Sequence, residues 1–211
     1  MVSRLRVSPA AALAVAVACT PGEQANDSLG ASQAAGVSPD PHPVVVLETN
    51  KGTIVMELDR ENAPETVDNF LLHVRSNFYD GLTFHRVRPG FMIQAGSLTA
   101  DAKRRESSVF PIANEAENGH ANVRGAVAMA RTGDPHSATS EFFINVVDNP
   151  KLDFTERTPQ GWGYAVFGRV VEGMDVVDII TAVPTERRGR YEAVPLEPVV
   201  IARAYVREGA S

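Results

Sequence analysis

Eight short runs of β-branched and aromatic residues, with only two helical segments among them, constrain the fold of this chain more than any other feature. Strands and helices do not alternate along the sequence, which argues against a parallel sheet built from strand–helix–strand units. A closed antiparallel barrel leaves no exposed sheet edge. The sequence therefore predicts a mostly β fold, a closed eight-stranded antiparallel β-barrel, with strands near 44–48, 53–58, 82–88, 91–97, 125–130, 141–146, 164–171 and 197–206.

The two helical segments each have one apolar face. The first begins near Pro64, and proline is favoured at the first position of a helix. Its apolar residues Val67, Phe70, Leu71 and Val74 recur at helical spacing, as do those of the second segment at 174–181. Both helices are therefore expected to pack one side against the barrel.

The first 42 residues differ in composition from the rest of the chain. Residues 1–8 carry Arg4 and Arg6 and no acid, and residues 10–18 form an unbroken apolar run. This pattern is typical of a secretory signal peptide, which we place at 1–18. The run is too short to span a bilayer, which needs about 20 residues. Residues 19–42 are rich in small and polar residues and are predicted to be a flexible tether, which leaves 43–211 as a single domain.

Cys19, the only cysteine, directly follows the apolar run. A lone cysteine at this position resembles a bacterial lipobox, in which the thiol is diacylated and becomes the new N-terminus, although Ala16 stands where leucine is usual. The alternative is ordinary cleavage after Ala18, which would leave a free thiol. The protein is therefore expected to be exported, either periplasmic or anchored to a membrane through a lipid on Cys19.

Charge and side-chain chemistry exclude several classes of partner. The formal net charge is −6, whereas binding to nucleic acid requires an excess of Lys and Arg. The basic runs at 103–105 and 187–190 are expected to be solvated loops. The five histidines show no metal-ligand spacing. We therefore expect no nucleic-acid partner, no metal and no other cofactor.

The segment 84–96 is the most informative part of the sequence for function. Alternation runs on both sides of a Pro-Gly turn signal, so the segment is expected to form a β-hairpin. Because side chains alternate along a strand, Met92 and Gln94 should share one face while Phe91 and Ile93 share the other. Some of these residues can line a pocket while others fill a core.

Three blocks of the sequence resemble the motifs of the cyclophilin family of peptidyl-prolyl cis/trans isomerases. The first, FHRVRPGFMIQAG at 84–96, is similar to the family pattern FHRxxxGFMxQxG. The second combines AMAR at 128–131 with SATSEFFIN at 137–145, and the third is GYAVFGRV at 163–170. The resemblance covers about residues 43–207 and looks most like the bacterial, periplasmic branch. It implies a barrel with a helix capping each open end.

The resemblance also implies roles for individual residues. Arg86 matches the family's catalytic arginine, and Gln94 matches the amide that bonds a substrate carbonyl. Phe143 is expected to point away from the site into the core. The positions that match the proline pocket or its wall are Phe91, Met92, Ala130, Phe142 and Leu152.

At two further positions this chain differs from the residue that many family members or human cyclophilins have. Arg131 stands where many members have an asparagine whose backbone binds the substrate, a role that a different side chain can preserve. Tyr164 stands where human cyclophilins have histidine, and its hydroxyl group can donate to a substrate carbonyl.

Proline isomerisation needs a hydrogen-bond donor rather than a nucleophile. The rotation barrier of about 18–20 kcal/mol reflects amide resonance. The twisted transition state loses that resonance, and a donor aimed at the prolyl nitrogen stabilises it selectively. Arg86 has a permanently charged guanidinium with five N–H groups. An isolated arginine is more often a surface ion-pair residue, and Arg88 lies on the same face of a regular strand, so only the motif selects Arg86.

Two departures from the family pattern affect specificity. Glu141 stands where the family has glutamine, and we hypothesise that it pairs with Arg86 or Arg131, or favours basic substrates. Lys151 precedes Leu152 where cyclosporin-sensitive members have tryptophan. Lysine cannot replace the indole donor and its flat contact, so cyclosporin binding is expected to be weak.

The predicted function is acceleration of X-Pro isomerisation in exported, unfolded chains, a step that is slow enough to limit folding. The expected partners are proline-containing unfolded or extended polypeptides, and the protein is expected to be a monomer. The alternative is a non-catalytic proline-binding or chaperone module at the membrane surface. A surface lipoprotein that serves as an adhesin or assembly partner is compatible with either.

Overall fold

Ten β-strands and two α-helices make up the part of the chain that this computed structural model describes, residues 40–207. The predictions for the signal peptide, for Cys19 and for nearly all of the tether lie outside these residues. No helix between residues 40 and 207 is both long and apolar enough to cross a membrane. The elements are β1 (Val44–Thr49), β2 (Gly52–Leu58), α1 (Pro64–Arg75), β3 (Leu82–Arg88), β4 (Met92–Thr99), β5 (Ala126–Met129), β6 (Phe142–Asn145), β7 (Val166–Glu172), α2 (Met174–Thr181), β8 (Thr185–Arg188), β9 (Tyr191–Pro195) and β10 (Ile201–Arg207).

Eight strands form one antiparallel sheet in the order β10-β1-β2-β7-β5-β6-β4-β3. Its two edges meet, because the backbone N–H of Phe84 donates to the Val199 carbonyl at 2.9 Å and that of Gly81 donates to the Ile201 carbonyl at 2.8 Å. The predicted eight-stranded antiparallel barrel with two helices is therefore confirmed. A few bonds rather than a full ladder close the barrel.

The barrel interior is filled by residues that pair across neighbouring strands. Phe84 lies opposite Ala95, Ala95 opposite Phe142, and Phe142 opposite Met129. All four are buried in the main core, which α1 completes with Phe70. The rings of Phe70 and Phe142 meet edge-to-face with centroids 5.2 Å apart, a favoured aromatic geometry.

The start of α1 is completed by a residue distant in sequence. The first N–H groups of a helix have no partner inside the helix. The carboxylate of Glu115 accepts the backbone N–H of Glu65 at 3.1 Å and that of Thr66 at 2.8 Å. An acidic side chain is also favourable at this end of the helix dipole. Glu115 therefore supplies the cap that Ala63, at the N-cap position, cannot.

A hairpin outside the barrel sheet was not predicted from the sequence. β8 and β9 pair only with each other, and β9 packs against β3. Gly189, with a φ of 58°, forms the turn between them. The basic run at 187–190 therefore belongs to a hairpin and not to a loop. Its short strands are mostly half-buried and lack apolar alternation, which is why the sequence pattern did not reveal them.

Candidate active site

A β-bulge in β3 turns Arg86 to the outer surface of the barrel. Phe84 pairs with Ala95 and Arg86 pairs with Gln94, so two residues of β3 advance for one residue of β4. In a regular strand Phe84 and Arg86 would share a face. Because Phe84 points into the barrel interior, Arg86 would then point there as well. The bulge at His85 separates them, and Arg86 lies half-buried on the outside.

The pairing register extends from Arg86 into one row of outward side chains. Gln94 lies opposite both Arg86 and Phe143, and Ala128 lies opposite both Phe143 and Val166. Residues directly opposite in antiparallel strands point to the same side of the sheet. The outer-face row, Arg86–Gln94–Phe143–Ala128–Val166, therefore places a cation and an amide beside three apolar side chains.

The apolar end of the outer-face row is the floor of a second, smaller hydrophobic cluster. Phe143 is buried in it, and its ring meets that of Tyr164 edge-to-face with centroids 5.6 Å apart. Half-buried side chains from the turns around β4 and β5 and from the 150–164 segment form its walls. The outer-face cluster consists of Met92, Ala126, Ala128, Phe143 and Val166, with Phe91, Ala130, Leu152 and Tyr164 packed against them.

The structure reverses the expected orientation of Phe142 and Phe143. Phe142 is fully buried in the barrel interior, because β6 pairs it with Ala95 and Met129 of the core row. Phe143 faces outward opposite Gln94 and Ala128. Contrary to the expectation from the sequence, Phe142 therefore does not line a pocket on the outer face, and Phe143 lies in the outer-face cluster instead.

The expected alternation also fails at the start of β4. Met92, Gln94 and Ile93 follow the prediction, with Ile93 in the main core. Phe91 precedes the strand, and its backbone N–H donates to the Arg88 carbonyl at 3.1 Å to close the turn. Strand alternation does not apply to a turn residue, so Phe91 packs on the same outer-face cluster as Met92.

Gln94 joins Arg86 to Glu141 through its side-chain amide. Arg86 Nη1 donates to Gln94 Oε1 at 3.3 Å, and Gln94 Nε2 donates to Glu141 Oε2 at 2.7 Å. A carboxylate can only accept and a guanidinium can only donate, so the two partners fix the orientation of the amide. One N–H of the Gln94 amide is left for another acceptor. Glu141 thus reaches Arg86 through Gln94, and it does not pair with Arg131.

Glu141 is held by a set of donors that compensates its charge. Arg104 Nη1 lies 3.3 Å from Glu141 Oε1, and His85 Nε2 lies 3.6 Å from Glu141 Oε2. Desolvation by burial acts to raise the pKa of Glu141. The hydrogen bond and charge of His85, with hydrogen bonds from Ser97 and Gln94, outweigh this and lower the pKa of Glu141 to about 2.

This depressed pKa predicts a pH-dependent contribution of Glu141 to stability. The ionised form stabilises the fold fully above its ordinary pKa of 4.5, and the contribution is lost as the pH falls toward 2. Between pH 6 and pH 3 the wild type should lose about 2 kcal/mol more unfolding free energy than Glu141→Gln. Urea unfolding at both pH values measures this difference. Glu117→Gln, which breaks an exposed pair with Arg157, is the control. Equal losses in wild type and Glu141→Gln would contradict the account.

The structure separates Arg86 from Arg88, which periodicity alone could not do. Arg86 is half-buried and bonded to Gln94, whereas Arg88 is exposed. Desolvation by burial, followed by the charge of Arg88, lowers the pKa of Arg86. A guanidinium nevertheless stays charged at neutral pH. A partly desolvated cation is also a stronger donor than a fully hydrated one.

Arg131 and Tyr164 form one wall of the outer-face cluster. The Arg131 guanidinium stacks 4.7 Å from the centroid of the Tyr164 ring. Its Nε donates to the Gly163 carbonyl at 2.8 Å, and its Nη1 donates to the Thr132 carbonyl at 2.9 Å. This arginine therefore orients the tyrosine, which is itself packed against Phe143.

Three asparagines that the sequence analysis did not single out hold the walls together. Asn149 Nδ2 donates to the Phe91 carbonyl at 2.9 Å and to Asn145 Oδ1 at 2.8 Å. Asn145 Nδ2 donates to Asn122 Oδ1 at 3.2 Å, and Asn122 Nδ2 donates to the Leu152 carbonyl at 3.1 Å. Asn122 and Asn145 are buried. Only Asn145, within the second motif, carried a sequence signal.

A separate cavity of about 480 Å³ lies beside β2, β5 and β7. It shares Ala126 and Val166 with the outer-face cluster but contains neither Arg86 nor Phe143. Its polar groups include Asp59 and His120, which pair with each other at 2.7 Å. The cavity is therefore not part of the arginine–amide site.

The fold and the site together define a class of protein: an antiparallel barrel whose outer face carries a cation and an amide beside an apolar cluster. Comparison with known proteins identifies the class. Residues 44–206 match the family described as cyclophilin type peptidyl-prolyl cis-trans isomerase/CLD. The chain therefore belongs to the cyclophilin family, and it is a peptidyl-prolyl cis-trans isomerase.

Named relatives and solved structures agree with this assignment. The chain is 56% identical to peptidyl-prolyl cis-trans isomerase cyp18 of Streptomyces antibioticus over 77% of this chain and 97% of the relative. It is 52% identical to peptidyl-prolyl cis-trans isomerase B of Escherichia coli over 78% and 100%. A crystal structure of a Cryptosporidium parvum cyclophilin in the presence of the dipeptide Ala-Pro superposes with a TM-score of 0.68 at 25% identity, over 79% of this chain and 99% of the other.

Proposed function

We propose that Arg86 catalyses isomerisation by donating a hydrogen bond to the nitrogen of the twisted prolyl amide, while the proline ring occupies the outer-face cluster. The observation that supports this is the register of the outer-face row. Arg86 and Phe143 lie on either side of Gln94, and neighbouring strands are about 4.8 Å apart. β3 and β6 are therefore roughly 10 Å apart. The arginine side chain spans most of that distance, so one X-Pro unit can contact both Arg86 and Phe143.

The remaining polar groups act on the peptide around the proline. The N–H of Gln94 that Glu141 does not use donates to a substrate carbonyl, and the Tyr164 hydroxyl donates to a second one. Such contacts keep the flanking chain fixed while the X-Pro bond rotates. They also keep the prolyl nitrogen within reach of Arg86, and correct positioning accounts for much of enzymatic rate enhancement.

The proposed substrates are unfolded or extended polypeptides that contain proline, in the setting of folding after export. The Cryptosporidium parvum structure in the presence of the dipeptide Ala-Pro supports a short X-Pro unit as the recognised element. The signal-like pattern at 1–18 and Cys19 support an exported protein, periplasmic or anchored by a lipid on Cys19. Uncatalysed X-Pro isomerisation takes about 10–100 s, long enough to limit folding.

Exchange NMR on an Ala-Pro peptide tests the proposed activity. Purified chain at catalytic concentration should raise the cis/trans exchange rate far above the uncatalysed value. The same peptide with alanine in place of proline should bind more weakly, because it cannot fill the apolar pocket. Binding of the Ala-Pro peptide without faster exchange would overturn the proposal in favour of a non-catalytic proline-binding module.

Lipid attachment at Cys19 is tested by mass spectrometry of the N-terminal peptide from cells expressing the full chain. The expected peptide begins at Cys19 and carries a diacylglycerol mass, and Cys19→Ser should release the protein into the water-soluble fraction. A peptide that begins at Cys19 with an unmodified, maleimide-reactive thiol would show ordinary cleavage and contradict anchoring.

A further inference from the structure

Three cationic side chains border the outer-face cluster. Arg88 is exposed and lies opposite Met92 across β3 and β4. Lys151 is exposed and directly precedes Leu152 in the turn Pro150–Leu152. Arg131 stacks on Tyr164. Each cation is therefore next to a residue that the proline ring or its flanking chain is proposed to contact.

Within residues 40–207, none of these three cations is paired with a carboxylate. Ion pairs among residues 40–207 involve other arginines and lysines, and Arg131 bonds only to backbone carbonyls. Their charges are not neutralised by residues of the described part of the chain. An unpaired charge beside a binding site attracts the opposite charge on a ligand and steers its approach.

The carboxylates near the site do not cancel this positive charge, and one of them, Glu106, is paired with Arg104. Glu141 is already engaged by Arg104, His85 and Gln94. The negative charge of Glu192 on β9 acts to raise the pKa of Arg86, whereas the positive charge of Arg88 lowers it. Among residues 40–207, the site cations that no carboxylate pairs with are therefore Arg86, Arg88, Arg131 and Lys151, although the whole chain has a net charge of −6.

We propose that this site selects proline segments that carry acidic residues next to the X-Pro bond. The inference rests on the proposed function, and it reverses the sequence-based expectation that Glu141 favours basic substrates. The cations on the rim of the site, Arg88 and Lys151, contact the flanking residues and not the rotating bond. They bind the ground state and the transition state equally, so the preference should lie in KM and leave kcat nearly unchanged.

Three peptides of one length test the proposal. Each has an Ala-Pro core, and they differ only in carrying glutamate, glutamine or lysine on both sides. For the full chain at low ionic strength, kcat/KM for the glutamate peptide should exceed that for the lysine peptide by about tenfold, because several exposed charge pairs contribute. In roughly 1 M salt, where the Debye length is about 3 Å, the ratio should fall toward one.

A double variant with a matched control assigns the preference to the rim. Arg88→Gln/Lys151→Gln should lose most of the ratio between the glutamate and lysine peptides. Arg157→Gln/Arg169→Gln removes the same charge at exposed sites where each arginine is paired, and it should keep the ratio. Because each ratio is taken within one protein, a general loss of activity does not affect it.

The outcomes separate this inference from the proposed function. Equal kcat/KM for all three peptides, or a preference for lysine, would overturn the inference while leaving the isomerase activity in place. A preference that survives Arg88→Gln/Lys151→Gln would also overturn it. No acceleration of the glutamine peptide would instead contradict the proposed function itself.

Discussion

Arg86→Ala is expected to lower kcat/KM for an Ala-Pro peptide by about 10²–10³-fold, the usual effect of removing one preorganised donor from a transition state. The apolar cluster proposed to hold the proline ring is untouched, so the dissociation constant of the peptide should change far less. Exchange NMR at saturating peptide gives the rate, and a titration followed on the protein signals gives the affinity.

The neighbouring arginine is the matched control for this experiment. Arg88 lies on the same strand and carries the same charge, but it is exposed and not bonded to Gln94. Arg88→Ala should therefore retain most of kcat for a neutral peptide. Equal losses of kcat in the two variants would show that general charge, and not a directed donor, accounts for the activity.

Alanine substitutions at Phe142 and Phe143 should differ in their effect on peptide affinity. Phe142 is fully buried among core aromatic rings, so Phe142→Ala should lower the unfolding free energy by about 3–5 kcal/mol. Phe143 forms the floor of the outer-face cluster. Phe143→Ala should weaken peptide binding by roughly tenfold or more, because the proline ring loses apolar contact worth about 1.5–3 kcal/mol, whereas Phe142→Ala should leave the peptide affinity of the folded protein nearly unchanged.

Urea unfolding and peptide titration of both variants measure these effects. Unfolding curves decide which phenylalanine supports the core, and the titrations decide which one binds the substrate. The account fails if Phe142→Ala keeps full stability but loses peptide affinity, since that would place Phe142 in the pocket and Phe143 in the core.

Much of the fold was predictable because buried apolar residues recur in the sequence at the period of each helix or strand. The strands of the barrel and the apolar face of α1 each alternate at the period of their element, so their positions could be inferred. The β8–β9 hairpin is the exception, because most of its residues are only half-buried and they form no buried apolar row. The Glu115 cap of α1 was also missed, because it depends on a contact across 50 residues of sequence.

The residues of the candidate site could be predicted from the sequence, but the direction in which each side chain points could not. The motifs supplied Arg86, Gln94 and most apolar positions of the outer-face cluster. They could not show which of two adjacent phenylalanines faces outward, because that depends on the register of β6 against its neighbours. They also could not show that a bulge at His85 turns Arg86 away from the side occupied by Phe84, because a bulge has no signature in the alternation of this strand.

The electrostatic partners of Glu141 illustrate the same limit. The sequence identified an added acid and suggested Arg86 or Arg131 as its partner. In the fold, Arg104 and His85 compensate its charge, and its link to Arg86 passes through Gln94. Residues far apart in sequence meet here because β3, β4 and β6 are neighbours in the sheet. Because these partners compensate the charge of Glu141, we no longer expect Glu141 to favour basic substrates.

A crystal structure of this protein with bound Ala-Pro dipeptide would test the central claim most directly. The account predicts the proline ring against Phe143 and Met92, with an Arg86 guanidinium nitrogen within hydrogen-bonding reach of the prolyl nitrogen and Gln94 Nε2 beside a dipeptide carbonyl. A proline ring in the cavity beside Asp59 and His120, or an Arg86 side chain directed away from the dipeptide, would contradict it.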